Sequence, residues 1–376
     1  MEDRWMIETS LPVSFVIKKS VGIFDPGNPD VLSFGSSSRR LLVIDLKVSN
    51  IYLKKIIAYF DYHNVDYHVV VLNAVEREKN TEQLLYLLRQ MEQFNLTRRN
   101  EPIIAIGGGV LLDIVGLAAG LYRRGVPYIR VPTTLIGLVD ACVGSKTAVN
   151  FFDRRNRIGF YYPPVASYLD KTFLKTLEPV EISSGLGEIL KMAVIKDSSL
   201  FSLVKEHGRS LYVNKLNGCG IADSVIDKSI TGMKEELEDN LWERDLKRSV
   251  DFGHSFSPIL EMRSLHDRNV LSLTHGQAVA LDVIFSSVLS FHRGMLDEKD
   301  VKDVVAAAGD MGLPVFHPYF GIPSLLLEAL HDTVKHRNGD QNLPIPDKIG
   351  SCVFLNDVSY DEIKKASVTM KGWCKN

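Results

Sequence analysis

The sequence predicts two domains of different class. Residues 1–170 read as an α/β domain with a parallel sheet covered on both faces, and residues 171–376 as a mainly α-helical domain. Three observations carry this. Short apolar runs alternate with helical patterns in the first part, as a parallel sheet with crossover helices requires. One of those runs leads through three glycines straight into a helix. Beyond Asp170 the strand signals nearly vanish and helical periodicity takes over.

Taken in order, residues 11–24 carry a strand-like pattern, and Gly27 to Ser38 is turn-rich. Leu41 to Ile44 is a buried strand ending at Asp45. A carboxylate there suits a ribose hydroxyl or a helix N-cap, and the residues alone leave both open. Ile51 to Asp61 is an amphipathic helix and Tyr67 to Val71 a strand. Glu76-Arg77-Glu78-Lys79 precedes a helix from Thr81, where acidic residues favour the dipole. Pro102 to Ile106 is a buried strand, and Gly107, Gly108 and Gly109 let backbone N–H groups approach a bulky anion. Val110 to Leu121 follows as a helix, which places a diphosphate at its N-terminus. A further strand, Tyr128 to Val131, runs into Pro132-Thr133-Thr134, and a loop then carries Asp140, Lys146, Asn150 and Asn156. In the second part, helices are expected at Pro179 to Asp197, Ser199 to His207, Ile221 to Asp239, Ser255 to Arg263 and His275 to Gly294, with a short strand at Gly350 to Leu355.

At 376 residues the chain buries a large core, and 45% hydrophobic with 24% charged residues is ordinary for a soluble enzyme. A net charge of −2 gives no support for nucleic acid or an anionic membrane as partner. The cysteines, Cys142, Cys219, Cys352 and Cys374, form no CxxC pair, so the expectation is a reduced, cytoplasmic protein without a thiolate metal site. The N-terminus lacks a signal-peptide profile, and no apolar run is long enough to span a bilayer.

The glycine turn is neither GxGxxG nor a P-loop, and alone it is a weak signal. Its continuation is specific: GGGVLLD at 107–113, Arg124-Gly125, VPTTLIGLVD at 131–140, VGSKTAVN at 143–150 and RNRIGFYYPP at 155–164. This series resembles the sugar-phosphate cyclase family, whose best-known member is 3-dehydroquinate synthase. The resemblance implies a Rossmann-like NAD-binding domain followed by a mostly helical metal-binding domain. It assigns nucleotide contacts to Asp45, Glu76, Lys79, Gly108, Gly109, Asp113, Thr133, Thr134, Asp140 and Lys146. For Glu76 and Lys79 the ordinary alternative is a solvated helix start.

Glu188 in GLGEILK, His254 in DFGHSFSP and His275 in THGQAVA have no metal-site spacing of their own. They match the family's GxxEIxK, (N/D)xGH and HGxxVA motifs, which the resemblance makes one zinc site. Two imidazoles and a carboxylate suit catalytic zinc, and cobalt fits the same ligands. The resemblance further implies catalytic roles for Lys146, Lys191, Lys234 and Asp140. It implies substrate contacts from Asn156, Arg155 (where a lysine is usual), Arg248 and Asp251. Arg124 matches an arginine offered to the neighbouring subunit's phosphate site, which implies a homodimer. The implied reaction is a transient oxidation by NAD⁺, phosphate elimination, re-reduction and an intramolecular aldol closure.

The chain departs from dehydroquinate synthases at three points. Asp251 replaces an asparagine, Pro258 a second histidine, and LHDTVKHRNGDQNLPIP at 330–346 lacks the DKK motif. The arginine before them is shifted, so Lys247 or Arg248 takes its place. A carboxylate at 251 disfavours an anionic substrate group and suits a hydroxyl. This points to sedoheptulose 7-phosphate as substrate. The DFGHxFSP form and the YYPP at 161–164 most resemble the branch that makes C7 cyclitols of the valiolone type. Rival readings are sister cyclases that close the same substrate to a different C7 ring, dehydroquinate synthase itself and a glycerol dehydrogenase-type oxidoreductase of the same architecture.

Overall fold

In the computed structural model, which describes residues 4–152, 154–218 and 220–373, the N-terminal part is built in chain order. It comprises β1 (Val16–Lys19), β2 (Arg39–Asp45), α1 (Leu46–Tyr62), β3 (Asp66–Leu72), α2 (Thr81–Gln93), β4 (Ile103–Gly107), α3 (Gly109–Leu121) and β5 (Tyr128–Pro132). It closes with β6 (Lys146–Phe151), β7 (Arg154–Tyr161) and β8 (Ala166–Leu169). Six parallel strands pair in the order β1-β8-β5-β4-β2-β3. The order reverses between β2 and β4, and in open α/β sheets the crevice beyond such a switch point is where nucleotides bind.

Alternate residues of the strands face opposite sides of the sheet. Leu41, Val43, Ile103 and Ala105 pack with α2 and α3, while Leu42, Ile44, Ile104 and Ile106 pack with α1. That is why these strands read as continuous apolar runs rather than alternations.

The expected loop from Asp140 to Asn156 is structured instead. A π-helical turn, Gly137–Ala141, leads into an antiparallel hairpin of β6 and β7 whose register shifts between Val149 and Phe151. Thr147 and Val149 point inward and are buried. The alternation was masked by glycine and polar residues on the other face. The strand expected over 11–24 is confined to Val16–Lys19.

The C-terminal part contains α4 (Pro179–Ile195), α5 (Ser198–Val213), α6 (Ile221–Glu238), α7 (Ser257–His266), α8 (His275–His292), α9 (Glu298–Asp310) and α10 (Pro323–His336). It ends with β9 (Leu343–Lys348), β10 (Ser351–Leu355) and α11 (Tyr360–Trp373). The short strand expected near 350–355 is β10, paired antiparallel with β9, which carries Pro344 and Pro346. Prolines at a strand edge hide a strand from sequence reading. α4 and α8 are buried along nearly their whole length and form the axis of this part. Among the described residues, no helix is long and apolar enough to cross a membrane. Cys142 and Cys352 are free, and Cys219 and Cys374 lie outside the described residues.

Candidate active site

α4 and α8 cross backbone to backbone. A Cβ on Gly276 would lie 1.7 Å from the Ser184 carbonyl oxygen, and one on Gly187 would lie 2.2 Å from the Gly276 carbonyl oxygen. Their chain neighbours, Glu188 and His275, are thereby brought together: His275 Nε2 stands 3.0 Å from Glu188 Oε1. His275 opens α8 behind a capping box of Thr274 and Gln277. The same helix holds the third residue. The Asp282 carboxylate, two turns further on, accepts from the amides of Ser255, Phe256 and Ser257 at 2.9, 2.6 and 2.9 Å. This pins the loop of His254, whose Nε2 lies 3.6 Å from Glu188 Oε1. That loop turns at Gly253, φ +76°, against Val279 of α8.

One ligand atom from each of Glu188, His254 and His275 lies within 4.8 Å of the others. His254 Nδ1 stands 3.1 Å from the Phe252 carbonyl, which accepts its proton and leaves Nε2 free. Burial pushes the His254 pKa down to about 3, so the ring is neutral and ready to ligate. Burial and Arg155 push His275 the other way from where it ends; Glu261 and Glu188 hold it up at about 9. Glu188 is 2% exposed, and neither carboxylate oxygen has a well-formed hydrogen bond among the described residues. Burial alone would raise its pKa, but Lys191, with Nζ 2.7 Å from Oε2, and the two histidines keep it well below the usual carboxylate range. A buried carboxylate that Lys191 meets at one oxygen and two imidazole nitrogens face at the other fits a divalent cation.

Beyond these groups a cavity of about 1130 Å³ runs from the sheet's switch point to the helical part. Asp140, Lys146, Lys191, Asp251 and Pro258 line it together with the histidines. Burial, with Glu188 adding to it, raises the Asp140 pKa above the usual range. Burial would depress the Lys191 ammonium, but Glu188 and Asp140 hold its pKa high. Lys146 Nζ contacts Glu243 at 2.7 Å, a carboxylate that motif reading missed and that also pairs with Arg248.

Two site expectations are corrected. Asp251 does not bring an uncompensated charge, because Arg248 Nη2 lies 2.5 Å from one oxygen and Arg337 Nη2 3.8 Å from the other. Arg337 is buried and comes from the segment without DKK, outside every motif that points to the site. Of the two candidates beside it, Arg248 takes the place at Asp251, and Lys247 lies over the Phe354 ring. Lys234 does not join the cavity. Met233 and Leu237 line it, while Lys234 is 58% exposed and pairs with Glu238 one turn on. The helical phase of α6 turns it outward. Arg124 is also exposed and lies outside the cavity lining of its own chain.

At the nucleotide end, Asp45, Glu76, Lys79, Gly108, Gly109, Asp113, Thr133, Thr134, Arg155 and Asn156 all line the cavity. Asp45 is the N-cap of α1, with Oδ1 accepting from the amides of Lys47 and Val48. At the start of α3 a Cβ built on Gly109 would make only an ordinary contact, with Ala141 Cβ at 3.7 Å, and Gly108 and Gly109 line the cavity. An open helix N-terminus beside a switch point fits a dinucleotide's diphosphate. The solvated-helix reading of Glu76 and Lys79 is overturned. Lys79 is 2% exposed and its ammonium contacts Asp113 at 2.5 Å and Asn156 Oδ1 at 2.6 Å. Glu76 accepts from Asn150 Nδ2 at 2.8 Å. Burial would raise its pKa, but Arg155 and Lys79 draw it down to about 2.

A switch-point nucleotide crevice that opens onto a Glu-His-His cluster defines a two-domain enzyme scaffold for nucleotide- and metal-assisted chemistry. The chain belongs to the 3-dehydroquinate synthase family: the family's N-terminal model matches residues 69–184 and its C-terminal model residues 185–336. It is 45% identical to the 2-epi-5-epi-valiolone synthase of Streptomyces albus over 98% of this chain and 90% of that protein. It superposes on the 2-epi-5-epi-valiolone synthase of Streptomyces hygroscopicus subsp. jinggangensis 5008, solved with NAD⁺ and Zn²⁺ bound. That match has a TM-score of 0.93 and 44% identity, over 98% of this chain and 99% of the other. The 3-dehydroquinate synthase of Campylobacter concisus is 32% identical over 86% of this chain and 89% of its own.

Proposed function

We propose that this chain is a sugar-phosphate cyclase that converts sedoheptulose 7-phosphate to 2-epi-5-epi-valiolone and phosphate, with NAD⁺ and zinc as cofactors. The observation that carries it is the cavity in which Asp251, neutralised by Arg248 and Arg337, and Pro258 meet His254 and His275 of the Glu188–His254–His275 cluster. A proline cannot give a substrate carboxylate the hydrogen bond that a histidine side chain gives. A carboxylate at 251 accepts from hydroxyls, as a polyol substrate requires.

Glu188, His254 and His275 would hold the metal, and the crevice lined by Asp45, Gly109 and Glu76 the nucleotide. When bound, NAD⁺ supplies reversible hydride transfer and the metal polarises a carbinol oxygen. The chain's own residues do the rest. Lys191, kept cationic beside Glu188, stabilises charge developing on a substrate oxygen. Asp140, with its carboxyl raised above the usual range, exchanges a proton with a substrate hydroxyl. Lys146, exposed and paired with Glu243, meets the phosphate, joined by Arg124 of a second copy in a homodimer. Free thiols at Cys142 and Cys352 suit a reducing cytoplasm. The product places the enzyme at the start of C7-cyclitol natural product synthesis.

The test incubates zinc-loaded protein with NAD⁺ and sedoheptulose 7-phosphate. Phosphate release without NADH growth, and a C7 cyclitol identified by NMR, is the expected result. No phosphate release would overturn the reading, and steady NADH growth would replace it with a dehydrogenase.

A further inference from the structure

Glu261 belongs to none of the motifs that point to the site. It lies on α7, two turns after His254, and is 2% exposed. Its Oε2 stands 3.0 Å from His275 Nδ1 and 2.7 Å from Arg155 Nη1. Arg155 Nη1 also lies 2.6 Å from His275 Nδ1, and Arg155 Nε lies 3.5 Å from Glu76 Oε1.

We propose that Glu261, held by Arg155, is a positioning residue for the metal centre: it accepts the Nδ1 proton of His275 and so presents Nε2 to the metal. The inference rests on the reading of Glu188, His254 and His275 as ligands. A guanidinium only donates, so at His275 Nδ1 two donors face each other and Glu261 is the one acceptor between them. With the carboxylate there, the proton stays on Nδ1 and Nε2 keeps its lone pair. Without it, Nδ1 accepts from Arg155, the ring proton moves to Nε2, and the metal-binding lone pair is lost. A carboxylate on the far nitrogen of a metal-binding imidazole also fixes the ring's orientation and raises its basicity. His254 achieves the same tautomer with the Phe252 carbonyl, so each histidine has its own proton acceptor.

Arg155 extends the arrangement to the nucleotide side, because one planar side chain reaches both Glu261 and Glu76. An ammonium offers a single charged point and no such fork. This gives a physical meaning to an arginine where the family's usual residue is lysine.

The experiment measures zinc affinity by competition with a chromophoric chelator, together with the thermal midpoint of the metal-free protein. Glu261→Leu, which removes the acceptor, is expected to weaken zinc binding about 10–100-fold, and Glu261→Gln, whose amide oxygen still accepts, to weaken it less. Glu261→Asp, which keeps the charge but withdraws the carboxylate by one methylene, is expected to weaken it as well. The visible spectrum of the cobalt-substituted variants should shift with the ring. Unchanged zinc affinity in Glu261→Leu overturns the proposal. Loss in Glu261→Gln as large as in Glu261→Leu also overturns it, since charge rather than the acceptor would then be what acts. If the wild-type protein binds no zinc, the metal reading falls and this inference with it. Wild-type binding with unaffected variants sinks only the role of Glu261.

Discussion

Gly276→Ala tests how the site is assembled. The added methyl would sit 1.7 Å from the Ser184 carbonyl oxygen, 2.5 Å from its carbon and 2.8 Å from its Cα, all backbone atoms. Ordinary contact begins at 3.4 Å, so the two helices must part by roughly 3.4 − 1.7 = 1.7 Å at the crossing. No flexible side chain is there to yield, and packed interiors resist such shifts. Overpacking of this kind costs about 1–3 kcal/mol, and the Gly276 amide also loses its 3.0 Å bond to Ser184 Oγ. The larger effect falls on the neighbours. His275 and Glu188 move apart with their helices, whereas metal–ligand distances hold within about 0.2 Å. Zinc per chain, measured by plasma mass spectrometry after gel filtration, should fall far below one, and kcat should drop at least about 100-fold. Gly309→Ala in α9 is the control. Its Cβ would meet nothing closer than Val315 Cγ1 at 3.9 Å, so stability and activity should be retained. A Gly276→Ala protein with full zinc and full kcat would refute the idea that touching backbones set the ligand geometry.

Three other perturbations have defined outcomes. Asp251→Asn removes the counter-charge of Arg337 and one of the two carboxylates paired with Arg248, which keeps Glu243. Loss of charge-assisted hydrogen bonds worth about 1.5–3 kcal/mol should lower kcat/KM for sedoheptulose 7-phosphate at least tenfold, and unchanged kinetics would dismiss Asp251 as a specificity residue. Lys234→Ala removes an exposed pair with Glu238, so steady-state kinetics should stay within about twofold; a large loss would restore Lys234 to the catalytic set. On the proposed homodimer, Arg124→Ala and Glu188→Gln proteins should each be inactive, yet regain activity when their subunits are exchanged, since one mixed site would then have intact metal ligands and an intact partner arginine. Failure of such mixing would remove Arg124 from the neighbouring site.

Much of the fold was legible because local rules govern it. The continuous apolar runs at Leu41–Ile44 and Ile103–Ile106 could only be strands buried on both faces, and the glycines after the second mark a helix start. The hairpin of β6 and β7 and the pair β9–β10 were harder to see. In the first, polar residues occupy the alternate face, and in the second, prolines occupy an edge strand. The metal trio was recognisable from three motifs even though no two of its members are close in sequence. Glu243, Glu261 and Arg337 were not, since each acts across the chain on a residue whose position only packing defines.

The sequence by itself determined the two structural classes, the place of the nucleotide crevice, the candidate ligands and the family. The classes and the crevice follow from periodicity and the glycine turn, the ligands and the family from the resemblance of its motifs. The tertiary structure alone decided which charges meet. It turned Lys234 to solvent through the helical phase of α6, and it set Lys191 beside Glu188 on α4, a helix buried on every side. It cancelled the charge of Asp251 with a guanidinium from α10's C-terminus, and it joined Glu188 to His275 through two glycines on separate helices. Charge pairing falls off over a few ångströms, and distances of that order between remote segments exist only once the helices have packed.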